Sequence, residues 1–205
     1  MIDKLIEEIN KALENELYFS ALSLALTLPD ICGKAEYPDK GSTSRYQLWY
    51  DEYIGQYENP TFSEKDIDED LDNNIKEELL KTKNMPYLSG EVVYNFRCSL
   101  FHQGNPNLDE IEYEKRKKKK CPIDKFVVVV EKEKPFHIYS GECSSIVSDN
   151  EGHQTRSYRV NVRRLCMIIC LTAGKYYRDN KEKFTFFNYS ILDWDEEMKK
   201  CRLWS

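Results

Sequence analysis

Apolar residues recur every three or four positions in four segments of the chain, and this helical spacing constrains the fold more than any other feature of the sequence. Residues 2–28, 45–57, 88–103 and 161–180 each place such residues along one helical face. The last segment is apolar nearly all round, which is typical of a central helix. The first helix is expected to end before Pro29, because a residue that precedes proline avoids helical dihedral angles. The pattern predicts a mainly α fold, a four-helix bundle.

Short β-branched or aromatic runs lie between the third and fourth predicted helices. Residues 126–130 form one run, and residues 135–139 form another after a Glu- and Lys-rich turn, which favours a hairpin. Residues 157–162 alternate enough to form a third strand. The sequence therefore predicts a small antiparallel β insertion within 123–160, carried by the helical bundle. A chain of this length is expected to form a single domain, residues 1–205.

Two blocks of opposite charge interrupt the helical pattern. Residues 64–78 contain eight acids and two lysines and sum to −6, whereas residues 115–120 are all basic and sum to +6. The whole chain carries a net charge of −6, which argues against a protein that coats nucleic acid without specificity. The acidic block is predicted to belong to a surface insertion at 58–86, with a helix near 66–82.

The basic block is predicted to form an exposed loop within 107–160. Its lysines could contact RNA phosphates, or the loop could simply be solvated. The lysines considered for RNA binding are Lys117, Lys118, Lys119 and Lys120.

Cysteine usage and hydropathy indicate a cytoplasmic protein. The chain has seven cysteines, an odd number, and no Cys-x-x-Cys pair, which argues against a disulfide framework and against a zinc site. No phosphate-binding or dinucleotide-binding glycine motif is present, so we expect no cofactor. The longest apolar run, 165–171, is far shorter than the roughly 20 residues of a membrane helix. The first residues show no basic leader, so no export signal is expected.

The third predicted helix carries the residues that point to chemistry. Glu91, Asn95, Cys98 and His102 share one face, since seven or eleven residues return close to the same helical angle. Arg97 stands beside the apolar stripe of this helix, where an unpaired charge is costly. On an ideal α-helix Arg97 and His102 would point about 140° apart. They could face one ligand only if the helix frays or if a second copy of the helix packs against the first.

Two interpretations of Arg97 and His102 remain open on these grounds. They could form a ligand site, because the dipole of the last helical turn helps to keep the imidazole pKa near neutrality, as acid–base catalysis requires. Alternatively, Arg97 could form a salt bridge to Glu91 or a neighbouring helix, and His102 could cap the end of its own helix.

The motif of this helix resembles that of a known superfamily. The string Arg97-Cys-Ser-Leu-Phe-His102, at the end of a helix in a helical bundle, is similar to the Arg-x4-6-His signature of HEPN domains (higher eukaryotes and prokaryotes nucleotide-binding). The longer string 88–105 resembles a group of small bacterial members, as do 28–38, 45–53 and 162–166. The resemblance covers about two-thirds of the chain and leaves out the acidic insertion and the tail.

The resemblance implies a dimer formed through the third helix and, for many members, a metal-independent endoribonuclease of a defence or toxin–antitoxin system. A ribose 2′-hydroxyl would attack the adjacent phosphate. His102 would act as general base or acid, and Arg97 would stabilise the charge that grows on the phosphorane. Asn95, Cys98 and Glu91 would support this pair. RNA is then the expected substrate, and an antitoxin protein is an expected partner.

The residue after the arginine departs from the pattern of active members. Those often carry Asn, Asp or His there, whereas this chain has Cys98, whose thiol is a weak hydrogen-bonding group. Some HEPN domains are noncatalytic. The resemblance therefore leaves an alternative open, a noncatalytic module that binds a nucleotide or a protein partner.

Overall fold

The computed structural model describes residues 2–59, 87–103, 125–132, 140–148, 154–187 and 192–202. The predicted helix at 66–82, the basic block at 115–120 and the second arm of the predicted hairpin at 135–139 lie outside these ranges.

Helices dominate the described part of the chain, and a small sheet lies between the third and fourth predicted helices, as the sequence predicts. The longer elements are, in chain order, α1 (Ile2–Glu14), α2 (Tyr18–Ala25), α3 (Leu28–Glu36), α4 (Ser42–Tyr50), α5 (Gly90–Cys98), β1 (Lys125–Val129), β2 (Gly141–Ser148), β3 (Gln154–Asn161), α6 (Val162–Asp179) and α7 (Trp194–Arg202).

The prediction of one continuous helix at 2–28 is wrong, because the chain turns between α1 and α2. Glu16 has a left-handed backbone with φ of 60°. The Leu17 N–H donates to the Ala12 carbonyl at 2.8 Å, and the Glu16 N–H donates to the Leu13 carbonyl at 3.3 Å. These bonds form the Schellman motif that ends many helices, usually with glycine at the left-handed position. A glutamate there leaves no signal in the sequence.

The expected helix stop before Pro29 is also wrong. Pro29 occupies the first turn of α3, where its missing N–H costs no hydrogen bond and its fixed φ suits the helix. Gly33 then allows α3 to approach α4 closely, since a Cβ at Gly33 would lie 2.6 Å from the carbonyl oxygen of Arg45. The proline thus starts the helix that supports α4.

The predicted helix at 45–57 is confirmed, and its second half is irregular. α4 continues into a π-helical segment, Asp51–Gly55, and a last turn, Gln56–Glu58. The carboxylate of Glu58 is buried and accepts hydrogen bonds from the backbone N–H of Ser140 at 2.7 Å and from its hydroxyl at 2.6 Å. These bonds tie the end of the α4 extension to the start of β2.

The sheet is mixed, so the predicted antiparallel insertion is wrong. β3 lies in the middle of the order β1–β3–β2. β1 runs parallel to β3, with Lys125 opposite Ser157 and Val129 opposite Asn161, while β2 runs antiparallel to β3. A parallel pair needs a long connection, so the local hairpin pattern could not predict this pairing. The predicted strands at 126–130 and 157–162 correspond to β1 and β3.

α6 forms the buried centre and confirms the predicted helix at 161–180. β3 leads directly into it, and the Asn161 side chain caps it by accepting a hydrogen bond from the Arg164 N–H at 3.2 Å. Its inward face is fully or almost fully buried: Val162, Leu165, Cys166, Ile169, Cys170 and Ala173. Met167 and Leu171 are exposed, so one side of this apolar helix faces solvent.

Candidate functional site

The start of α5 is capped by its own serine and is held against α4 and its π-helical extension by two contacts. The Ser89 hydroxyl accepts a hydrogen bond from the Val92 N–H at 3.3 Å and so caps the helix. The Gly90 N–H donates to the Asp51 carboxylate at 2.6 Å. A Cβ at Gly90 would lie 2.3 Å from the Gln47 carbonyl oxygen, so the two backbones touch. The motif helix therefore has a defined position and rotation relative to α4.

Aromatic rings surround the guanidinium of Arg97, a half-buried residue of α5. Its Cζ lies 5.7 Å from the centre of the Tyr46 ring and 6.0 Å from that of Tyr94. The two rings meet edge to face, with their centres 5.3 Å apart, and the Thr43 hydroxyl donates to the Tyr94 hydroxyl at 2.8 Å. No carboxylate among the described residues forms an ion pair with Arg97. The rings hold the cation without neutralising it.

Two buried hydrogen-bond donors in this cluster have no acceptor within the described part of the chain. One is Nε of Arg97, and the other is the hydroxyl of Tyr46, a residue with 0% exposure. Burial raises the pKa of Tyr46 far above its usual value, although the nearby Arg97 opposes the rise, so the phenol keeps its proton. Buried donors without acceptors are costly. An acceptor at this place would stabilise both.

The end of the motif helix is wound more widely than an α-helix. Ser99–Gln103 form a π-helical segment, in which a turn contains about one residue more than in an α-helix. Arg97 lies in α5, before this segment, and position 102 lies inside it, so the wider winding makes the angle between the two positions smaller than the about 140° of an ideal α-helix. The backbone of a single chain therefore brings positions 97 and 102 closer to a common face than an ideal α-helix would.

The structure places the remaining predicted residues only in part. Glu91 is exposed, and Asn95 and Cys98 are half-buried on the same helix. Cys98 is a free thiol that contributes to the electrostatic environment of Tyr46. For His102 the backbone position alone is described. Lys117, Lys118, Lys119 and Lys120 lie outside the described ranges.

The two tyrosines beside Arg97 were not among the residues predicted from the sequence. Tyr94 had a local signal, since residues three apart share a helical face. Tyr46 had none for this role, because it reaches Arg97 only through the packing of α4 against α5. Asp30 of α3 also lies near this cluster: after burial, its charge adds to the rise of the Tyr46 pKa, and its carboxylate is paired with Arg45 at 2.9 Å.

The described residues contain no group of three or more His, Cys, Asp or Glu side chains that could hold a metal ion. Three of the four cysteines whose side chains are described are buried, and burial raises the pKa of the Cys166 and Cys170 thiols to about 12, which suits a packing role. None of the described helices combines the length and the apolar character that crossing a membrane requires. Comparison of the chain with protein-family models, with curated proteins and with solved structures finds no match.

Proposed function

We propose that the protein is a metal-independent endoribonuclease of a defence or toxin–antitoxin type system. One observation carries the proposal: Arg97 presents a guanidinium without a described carboxylate partner. Position 102 follows in a π-helical segment, whose wider winding reduces the angle between the two positions. The resemblance of the motif to the HEPN signature supplies the reaction type.

In the proposed reaction the ribose 2′-oxygen attacks the adjacent phosphorus. The bond to the 5′-oxygen of the next nucleotide breaks, which leaves a 2′,3′-cyclic phosphate and a 5′-hydroxyl. His102 moves the proton from the attacking or to the leaving oxygen, and Arg97 binds the phosphate oxygens. Arginine suits this role because its planar fork donates two parallel hydrogen bonds to phosphate. Tyr46 and Tyr94 keep that fork in place.

The experiment is incubation of the purified protein with mixed cellular RNA in EDTA. We expect cleavage that leaves cyclic phosphate ends. Arg97→Ala and His102→Ala should each slow cleavage by about 10²- to 10⁴-fold while the circular dichroism spectrum is unchanged. Arg163→Ala, which removes an exposed arginine of α6, is the matched control and should cleave normally. Cleavage by His102→Ala at the rate of the parent protein, or loss of cleavage in EDTA, would contradict the mechanism.

A dimer through α5 remains part of the proposal, and the wider turn at 99–103 adds a second arrangement to test, in which one chain supplies both residues. Mixing Arg97→Ala chains with His102→Ala chains distinguishes the two arrangements. If one chain supplies both residues, the mixture stays inactive. If two chains share each site, some mixed dimers recover an intact pair, and part of the activity returns.

Cys98 favours a second candidate function, a noncatalytic module that binds a nucleotide or a protein. A thiol is a poor hydrogen-bonding substitute for the polar residues that often follow the arginine in active members. Cys98→Asn tests this point. The endoribonuclease proposal expects equal or faster cleavage by the variant. Absence of cleavage by both proteins, together with saturable nucleotide binding, would favour the noncatalytic module.

A further inference from the structure

Tyr46 and Tyr94 flank the same guanidinium, but only Tyr94 has a structural use for its hydroxyl. The Tyr94 hydroxyl is bonded to Thr43, which joins α5 to the first turn of α4. The Tyr46 hydroxyl is buried and has no partner among the described residues. A phenylalanine at position 46 would fill the same space and leave no buried donor without an acceptor. Tyr50 of the same helix also has a buried hydroxyl without a described partner, but of these two tyrosines it is Tyr46 whose ring lies beside Arg97.

The chemistry of the missing partner can be inferred from its surroundings. Nε of Arg97 can only donate, and the protonated phenol of Tyr46 is available as a donor. The charge of Arg97 has no described counterion, and the nearby Asp30 is engaged by Arg45. Two donors and an uncompensated positive charge fit a negatively charged acceptor with several oxygen atoms. Arg97 and Tyr94 are only half-buried, so solvent reaches part of both side chains, while the two donor atoms themselves are buried beneath them.

We propose that the Tyr46 hydroxyl is a second hydrogen-bond donor to the phosphate group that Arg97 binds. This inference rests on the proposed function for the identity of the anion as an RNA phosphate. It adds to that function a binding residue contributed by α4, outside the motif helix. The close contact between Gly90 and Gln47 then has a consequence for binding, because it holds the helix that carries Tyr46 against the helix that carries Arg97.

The test compares two variants that each remove one hydroxyl and keep the ring. Binding of inorganic phosphate, and of a short RNA made uncleavable by 2′-O-methyl riboses, is measured by chemical-shift titration of the full chain. Tyr46→Phe should weaken both affinities by about 10- to 100-fold, the effect of losing one hydrogen bond to a charged group. Its thermal stability should equal or exceed that of the parent. Tyr50→Phe removes another buried hydroxyl of α4 that has no partner among the described residues, and it should bind both probes normally.

Because the titration does not depend on cleavage, it separates this inference from the proposed function. A parent protein that binds phosphate through Arg97 and Tyr46 but leaves RNA intact would support the inference and remove the endoribonuclease. The opposite result is also possible to recognise. If the parent cleaves RNA and Tyr46→Phe binds both probes as tightly as the parent, the endoribonuclease is supported and the inference about Tyr46 is overturned. A parent that shows no saturable phosphate binding, or equal weakening by both tyrosine variants, overturns the inference.

Discussion

Replacing Gly90 with alanine should force α4 and α5 apart. A Cβ at position 90 would lie 2.3 Å from the Gln47 carbonyl oxygen and 2.8 Å from its carbonyl carbon, whereas ordinary contacts begin at 3.4 Å. The backbones must therefore shift by about 1 Å, and such overpacking typically costs about 1–3 kcal/mol. The shift also stretches the 2.6 Å hydrogen bond from the Gly90 N–H to the Asp51 carboxylate.

The higher helix propensity of alanine opposes this destabilisation of Gly90→Ala, but it is the smaller effect. Alanine gains up to about 1 kcal/mol over glycine in helix propensity, and less in a first turn. We expect a net loss of about 2 kcal/mol, which for a chain of this size lowers the melting temperature by about 4–8 °C. Thermal unfolding followed by circular dichroism measures this change.

Gly41→Ala is the matched control for Gly90→Ala. No atom lies within 4 Å of a Cβ built at Gly41, whose φ of −63° suits any residue. Its melting temperature should stay within about 2 °C of the parent, a margin that allows for a poorer helix cap. Equal melting temperatures for the two variants would refute the argument that the α4–α5 contact leaves no room for a methyl group.

Two further substitutions test the described packing. Burial raises the pKa of Glu58 above its usual value of 4.5, so the folded protein holds this proton more tightly than the unfolded chain, and that stabilisation is lost as the pH rises above 4.5. The melting temperature of the parent relative to Glu58→Gln should therefore fall between about pH 4 and pH 7, and parallel profiles would contradict this. Glu16→Gly should raise the melting temperature by about 2–4 °C, because glycine adopts a φ of 60° without strain. Glu16→Ala, which keeps the Cβ, should melt below Glu16→Gly.

The fold was predictable where burial follows a regular period over many residues. The α6 pattern extends over five turns of helix, so local irregularities could not hide it. The break between α1 and α2 was not predictable, because Glu16 occupies a position that glycine usually marks. The parallel pairing of β1 with β3 was not predictable either, since it depends on contacts between strands that are far apart in the sequence.

The sequence selects residues for a candidate site, but it could not predict their surroundings. The sequence alone places Arg97 beside the apolar stripe, and the structure agrees. The sequence could not reveal that aromatic rings, and not a carboxylate, lie against the guanidinium of Arg97, because one of those rings belongs to α4. Nor could it reveal the π-helical segment, whose hydrogen bonds depend on how the end of α5 packs.

The π-helical segment leads to a last prediction, which concerns spacing. Removing the half-exposed Phe101 should let the wide turn relax to an α-helical one, with the histidine four positions after Arg97 and about 40° from it. Cleavage should then survive within about tenfold of the parental rate, since the general acid or base stays on the same face. Inserting an alanine after Phe101 should rotate the histidine by about 100° and abolish cleavage. The paired variants separate geometry from simple disruption, because both change the length of the same turn by one residue. An equal loss of cleavage in the deletion and insertion variants would show that the angle between Arg97 and the histidine does not matter for the reaction.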